Sequence, residues 1–165
     1  MSGVLDGLDV RLLELFAAEP RVGVLEASRR LGVARGTVQA RLDRLAVRGV
    51  VVGWGPEVDP SAIGYPVTAF LTLELRQRAS GTGGERAHDA VGTHLSGIPE
   101  VLEVHTTSGA GDVLARVVAR SNEDLQRVID HVLAHDAIQR CSTVIALATQ
   151  VAHRTLPLAA ASTRE

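Results

Sequence analysis

Thr37, Arg41, Arg44 and Arg48 recur at i, i+4, i+7 and i+11. On an α-helix, at about 100° per residue, their side chains project within roughly 60° of one another. A row of guanidinium groups suits a polyanion, because each can donate to phosphate oxygens or to the acceptor edge of guanine. Thr37 and Gln39, near the start of the stretch, are placed to reach base edges. Phosphate contacts would supply affinity with strong salt dependence, and base contacts the choice of sequence. Between Arg21 and Arg48 seven Arg face two acids, Glu26 and Asp43, in a chain of formal net charge −2. That uneven distribution, rather than the total, points to nucleic acid. The bland account of the same residues is a three-helix bundle with a solvated charged face.

Other reactive residue types form weaker patterns. His131 and His135 stand at i and i+4 on an expected helix, the spacing of a metal pair, but no third ligand follows at a persuasive distance. A solvated helix face is the better account, and no metal is expected. Cys141 has no motif around it. A single cysteine precludes an internal disulfide and fits a reducing cytoplasm. No nucleophile triad, phosphate-binding glycine loop or carboxylate pair stands out, so neither a catalytic residue nor a cofactor is expected. Aromatic content of 2% argues against a stacking platform for single strands. No apolar run nears the roughly 18 residues of a membrane span, and the first residues carry no pattern of a signal peptide.

The elements that must position the Arg row can be read in order. At 45% hydrophobic content, 165 residues can bury one core or two small ones. Leu5, Leu8, Leu12, Leu15 and Phe16 keep helical spacing, with Asp6 and Asp9 at the end where carboxylates favour the helix dipole. Glu19-Pro20 ends that helix. A second helix runs near Leu25 to Leu31, a turn follows at Gly32-Val33-Ala34, and a third helix spans about Arg35 to Arg48. On it Val38, Leu42 and Leu45 make the buried stripe. Three helices with a tight turn between the second and third predict a helix-turn-helix of winged type over residues 1–49.

Residues 50–66 read as a linker strand with a turn at Gly55-Pro56. Trp54 there packs either on a neighbour in the chain or on a second subunit. Strands follow at Val67–Leu75, Val101–Thr107, Asp112–Ala119 and Ile138–Gln150. Between them lie a loop at Ser80–Gly84, a helix from Glu85 to Leu95, and a helix opened by Ser121 that buries Leu125, Val128, Ile129, Val132 and Leu133. The order β-α-β-β-α-β over residues 67–151 predicts a ferredoxin-like domain and an α+β chain. Its uncovered sheet face favours a dimer. Residues 152–165 read as a flexible tail.

The chain resembles the Lrp/AsnC family of transcription regulators. The resemblance is carried by Leu5-Asp6-x-x-Asp9-x-x-Leu12-Leu13, by Thr37-Val38…Arg41-Leu42…Leu45…Gly49-Val50, by Asp59-Pro60…Gly64, and by Glu103-Val-His-Thr-Thr-Ser-Gly-Ala-Gly-Asp112. It implies a sequence-specific regulator, not an enzyme, that binds double-stranded DNA at an imperfect palindrome through Arg35, Thr37, Gln39, Arg41, Arg44 and Arg48. It implies homodimers that gather into tetramers or octamers, and a small effector, usually an amino acid, held between dimers. By position the effector residues are Ser108, Gly109, Ala110, Gly111 and Asp112, faced by Thr143, Val144 and Ile145. Gly109 and Gly111 would leave N–H groups open to a carboxylate, and Asp112 would meet an ammonium. The competing account is a tight turn in which Asp112 accepts from backbone amides.

Two positions depart from the family pattern. Ala34-Arg35 replaces the usual capping Ser, a loss worth about 1 kcal/mol of helix stability, with Arg35 free to gain a phosphate instead. Gly111 replaces an aromatic residue, which predicts a roomier pocket. Two alternatives follow from the same resemblance. Siroheme decarboxylases share the architecture and would draw on His105, His131, His135 and Arg140, although so few aromatics suit a large planar cofactor poorly. A ligand sensor that has lost DNA binding is favoured by Ala34 and opposed by the intact Arg row.

Overall fold

The computed structural model describes residues 5–76 and 83–163, with residues 83–86 as backbone alone. The chain divides into two compact units. Met1–Glu57 and Val151–Glu165 form the first, and Val58–Gln150 the second.

The first unit opens with α1 (Gly7–Ala18), and its start is capped on both sides. The Asp6 carboxylate accepts from the Leu8 and Asp9 N–H groups at 2.9 and 3.0 Å, and Asp9 accepts in return from the Asp6 N–H at 3.2 Å. This capping box satisfies donors that the first helical turn leaves without partners. Helix α2 (Val24–Leu31) ends at Gly32, whose φ of +67° is left-handed backbone suited to glycine. The turn lets α3 (Arg35–Val47) start two residues later. Val38, Leu42 and Leu45 bury the expected face of α3. The first two join Leu12 and Ala27, while Leu45 joins Leu5 and Val10.

Two expectations for this unit are corrected. Residues 50–60 pair with no strand; they run as irregular chain through Gly53, Gly55, Pro56 and Pro60 into a short 3-10 turn at Ser61–Ile63. No strand accompanies the three helices among the described residues, so no paired wing is seen. The tail also holds a helix, α6 (Leu156–Ala161), with Pro157 in its first turn. Ala159 and Ala160 pack it onto Leu5, Val10 and Leu13. That burial outweighs the fraying expected of a terminus. Trp54 meets Phe16 edge to face, centroids 5.6 Å apart, which places it on a neighbour of its own chain.

The second unit alternates β1 (Val67–Leu75), α4 (Gly83–Ser96), β2 (Val101–Thr106), β3 (Val113–Ala119), α5 (Asn122–Leu133) and β4 (Ile138–Ala146). The strands form one antiparallel sheet in the order β2-β3-β1-β4. The order of elements and the order of strands are those expected of a ferredoxin-like βαββαβ domain. Alternate residues Ala69, Leu71, Leu73 and Leu75 of β1 and Val113, Ala115 and Val117 of β3 pack with Val91, Leu95, Leu125, Val128 and Val132 of the two helices. Ser121 caps α5 by accepting from the Asp124 N–H at 3.0 Å. Ahead of β1, Tyr65 lies under the Arg120 guanidinium at 5.1 Å and accepts from it through the phenol oxygen. β4 ends at Ala146 rather than Gln150, and residues 80–82 of the expected Ser80–Gly84 loop lie outside the described residues. Among those described, no helix is long and apolar enough to cross a membrane.

Candidate nucleic-acid interface and ligand loop

The Arg row does not form one open face. Arg41 donates to Asp6 and, at 2.9 Å, to Asp9; Arg44 donates to both oxygens of Asp9 at 2.9 and 2.8 Å. The Asp9 side chain is 2% exposed, so its charge is taken out of water and compensated by two guanidinium groups. The Arg41 guanidinium, with the backbone N–H of Asp9, holds the Asp6 carboxyl down at about 2; Arg41 is raised in turn by Asp6 and Asp9. Two residues expected on DNA therefore fasten α3 to the start of α1. The reason is geometric: the row sits about 90° from the buried stripe, on the flank that α1 covers. Asp6-x-x-Asp9 and Arg41-x-x-Arg44 share one spacing, the signal in the sequence that could have matched them.

Elsewhere on α3 the expected residues remain exposed. Arg35 and Thr37 stand at its start and Arg48 at its end, with no side-chain partner among the described residues. Gln39 is exposed and donates to Asp43 Oδ1 at 2.8 Å. Ala34 makes no side-chain cap, as expected of it. In α2, Arg30 is held by Glu19 and Glu26, while Arg29 lies 3.7 Å from Glu26 and is largely exposed.

The loop before β3 is a braced turn. Gly109 has φ +129°, the left-handed side that glycine tolerates. The Thr107 hydroxyl donates to the Gly111 carbonyl at 2.8 Å, and the Asp112 N–H donates to Leu73 O at 2.9 Å. Asp112 Oδ2 accepts from the Leu75 N–H at 2.7 Å. Asp112 therefore ties the turn to β1 with one carboxylate oxygen. Gly111 is buried, and a Cβ there would collide with the Thr72 methyl and crowd the Leu73 carbonyl at 3.3 Å. Ser108, Gly109 and Ala110 are exposed. On β4, Thr143 and Ile145 pair opposite Leu71 and Ala69 and so lie on the helix side of the sheet, whereas Val144, opposite Phe70, lies on the other. The three cannot face the loop together, because neighbouring strand residues alternate.

The histidines and Cys141 do not converge. His94 and His135 rings lie 5.3 Å apart, His94 Nε2 is 2.9 Å from the His131 carbonyl, and His135 Nδ1 accepts from the Ala137 N–H. Burial raises the Cys141 thiol, which makes it a poor nucleophile.

Comparison with known proteins agrees with both halves. Residues 5–46 match the AsnC-type helix-turn-helix domain, and residues 68–156 match the Lrp/AsnC ligand binding domain. The HTH-type transcriptional regulator FL11 of Pyrococcus furiosus is 28% identical over 158 residues, 96% of this chain and 99% of that protein. Regulatory protein AsnC of Escherichia coli is 28% identical over 145 residues, 87% of this chain and 91% of its own. The solved E. coli AsnC structure superposes with a TM-score of 0.82 at 26% identity, covering 93% of this chain and 99% of that one. The feast or famine regulatory protein of M. tuberculosis complexed with L-methionine gives 0.78 at 26% identity, covering 92% and 98%. A helix-turn-helix held together by its own Arg–Asp network and a βαββαβ domain with a braced glycine turn thus stand in the order those proteins share, and the chain belongs to the Lrp/AsnC family of DNA-binding transcription regulators.

Proposed function

We propose that the chain acts in the cytoplasm as a sequence-specific regulator without enzymatic activity, reading an imperfect palindrome in double-stranded DNA as a homodimer that gathers into tetramers or octamers. The observation that carries the reading is the exposed start of α3, where Arg35 and Thr37 stand beyond the Gly32 turn with no side-chain partner among the described residues. Arg35 and Arg48 supply phosphate contacts, and Thr37 and Gln39 reach base edges; Arg41 and Arg44 hold α3 in place. A dimer sets two such helices on half-sites one helical turn apart or a multiple of it. The effector is an amino acid at the Ser108–Asp112 turn, a reading supported by the methionine complex of the M. tuberculosis relative. The exposed Ser108–Ala110 backbone and the Asp112 oxygen not taken by Leu75 are the groups such a ligand would meet.

The test is binding to DNA from upstream of the protein's own gene, titrated across salt beside a scrambled fragment. Preference for the first fragment, weakening steeply with salt, is the expected result. Equal weak binding to both would remove the claim of sequence specificity at that locus, and no binding at low salt would favour a sensor that has lost DNA.

A further inference from the structure

Asp43 is out of place on a helix offered to a polyanion. Glu26, the other acid on α2 and α3, pairs with Arg30, and Asp6, Asp9 and Glu19 pair with Arg as well. Asp43 is exposed and meets no cation among the described residues; its one side-chain partner is the Gln39 amide, donating to Oδ1 at 2.8 Å. At about 100° per residue, Gln39 and Asp43 lie within roughly 40° of each other and about 100–140° from the centre of the buried stripe. Gly36 and Ala40, on the same outward side, are too small to keep a base edge away. With Phe16, Leu42, Ala46 and Trp54 the pair lines a depression of about 250 Å³.

The hydrogen bond between them fixes what they can read. With one lone pair of Oδ1 engaged, Oδ2 is the Asp43 oxygen left wholly open as an acceptor; Gln39 keeps one amide hydrogen and its carbonyl oxygen. An acceptor beside a donor complements the middle of a base pair in the major groove, where an amino group and a carbonyl oxygen lie side by side. Two pairs present that arrangement: cytosine N4 with guanine O6, and adenine N6 with thymine O4. The neighbours of the amino group separate them. Adenine places N7, an acceptor, next to its N6 and repels a carboxylate, and thymine adds a methyl group beside O4. Cytosine has only a C–H next to N4. Resting on the regulator reading above, we propose that Gln39 and Asp43 act together as a reader of one G·C pair in each half-site, Asp43 accepting from the cytosine amino group and Gln39 donating to guanine O6. The carboxylate repels phosphates everywhere else, so it also weakens binding to unrelated DNA.

The test is selection from a random duplex library by the full-length chain, by Asp43→Ala and by Gln39→Ala, each checked for unchanged thermal unfolding. The unaltered protein is expected to select a G·C pair at one symmetric position per half-site. Its preference there over A·T should be about five- to 100-fold. Asp43→Ala should lose the preference at that position alone and bind random DNA more tightly, and Gln39→Ala should relax the same position. If Asp43→Ala selects the same sequences as the unaltered chain, the pair only steadies α3 through its i,i+4 bond; the inference is overturned while the regulator reading stands. If the unaltered chain selects nothing at any salt, both are overturned.

Discussion

Asp9 is the residue on which the geometry of α3 turns. Its buried carboxylate accepts from Arg41, from Arg44 and from the Asp6 N–H, so replacing it with an amide removes the charge that both guanidinium groups face and one of the two oxygens that accept. Asp9→Asn should cost about 2–4 kcal/mol, less than a fully buried pair would because the Arg partners can rehydrate; urea unfolding with an unchanged slope would show it. The corresponding contrast separates the Arg by role. Arg41→Ala should lower the unfolding midpoint. Arg35→Ala should leave it in place and instead reduce the slope of log affinity against log salt by about one. Asp6 makes the network sensitive to acid. Its folded carboxyl, held at about 2 by Arg41 against an ordinary 3.8, favours the folded state above pH 3.8 and loses that contribution as pH falls toward 2. Asp6→Asn should therefore flatten the fall in stability between about pH 4 and pH 2, measured as urea midpoints across that range.

At the scale of elements, Gly32 gives the cleanest prediction. Nothing lies within 4 Å of a Cβ placed there, but φ is +67°, so Gly32→Ala should cost about 1–2 kcal/mol through backbone alone. Asn at the same position should recover part of it, since its side chain tolerates left-handed backbone. Elements built from local signals were legible in the sequence: the acidic start of α1 at Asp6 and Asp9, the Ser121 cap, the Gly32 stop, the Val38–Leu42–Leu45 stripe and the alternation in β1 all depend on residues a few positions apart. What was not legible depends on distance along the chain. Arg41 and Arg44 find carboxylates more than 30 residues away, and a charged row looks the same in sequence whether it faces DNA or a neighbouring helix. The α6 helix lacks a periodic stripe of large apolar residues, being held by small Ala residues against Leu5 and Val10. Val144, by contrast, was readable: strand parity separates it from Thr143 and Ile145.

At the scale of the whole molecule, the chain leaves the first unit near Glu57 and re-enters it near Val151, so two covalent crossings join the units. The second crossing follows directly from β4, the strand that carries Thr143 and Ile145, and leads into α6. A regulator of this plan can pass an effector's signal in two ways. The ligand can tighten the first unit itself, or it can alter how whole protomers are spaced while leaving each helix-turn-helix unchanged. The first unit's core gives a reason to expect the second way: Leu12, Val38, Leu42 and Leu45 are closed over by α1 and locked by the Asp9 network, which leaves little slack to remove. Hydrogen exchange with and without L-methionine separates the two. Protection should rise at Thr107, Asp112 and Leu75, whose N–H groups hold the turn to its neighbours, and stay level in α1–α3. The preferred spacing of DNA half-sites should change in the same conditions, since coupling between sites requires a ligand to favour one arrangement over another. Gly111→Ala, by pushing the turn off Thr72 and the Leu73 carbonyl, should abolish both responses while α1–α3 keep their protection. A rise in protection throughout α1–α3 would instead place the signal inside the first unit, carried along the β4–α6 crossing.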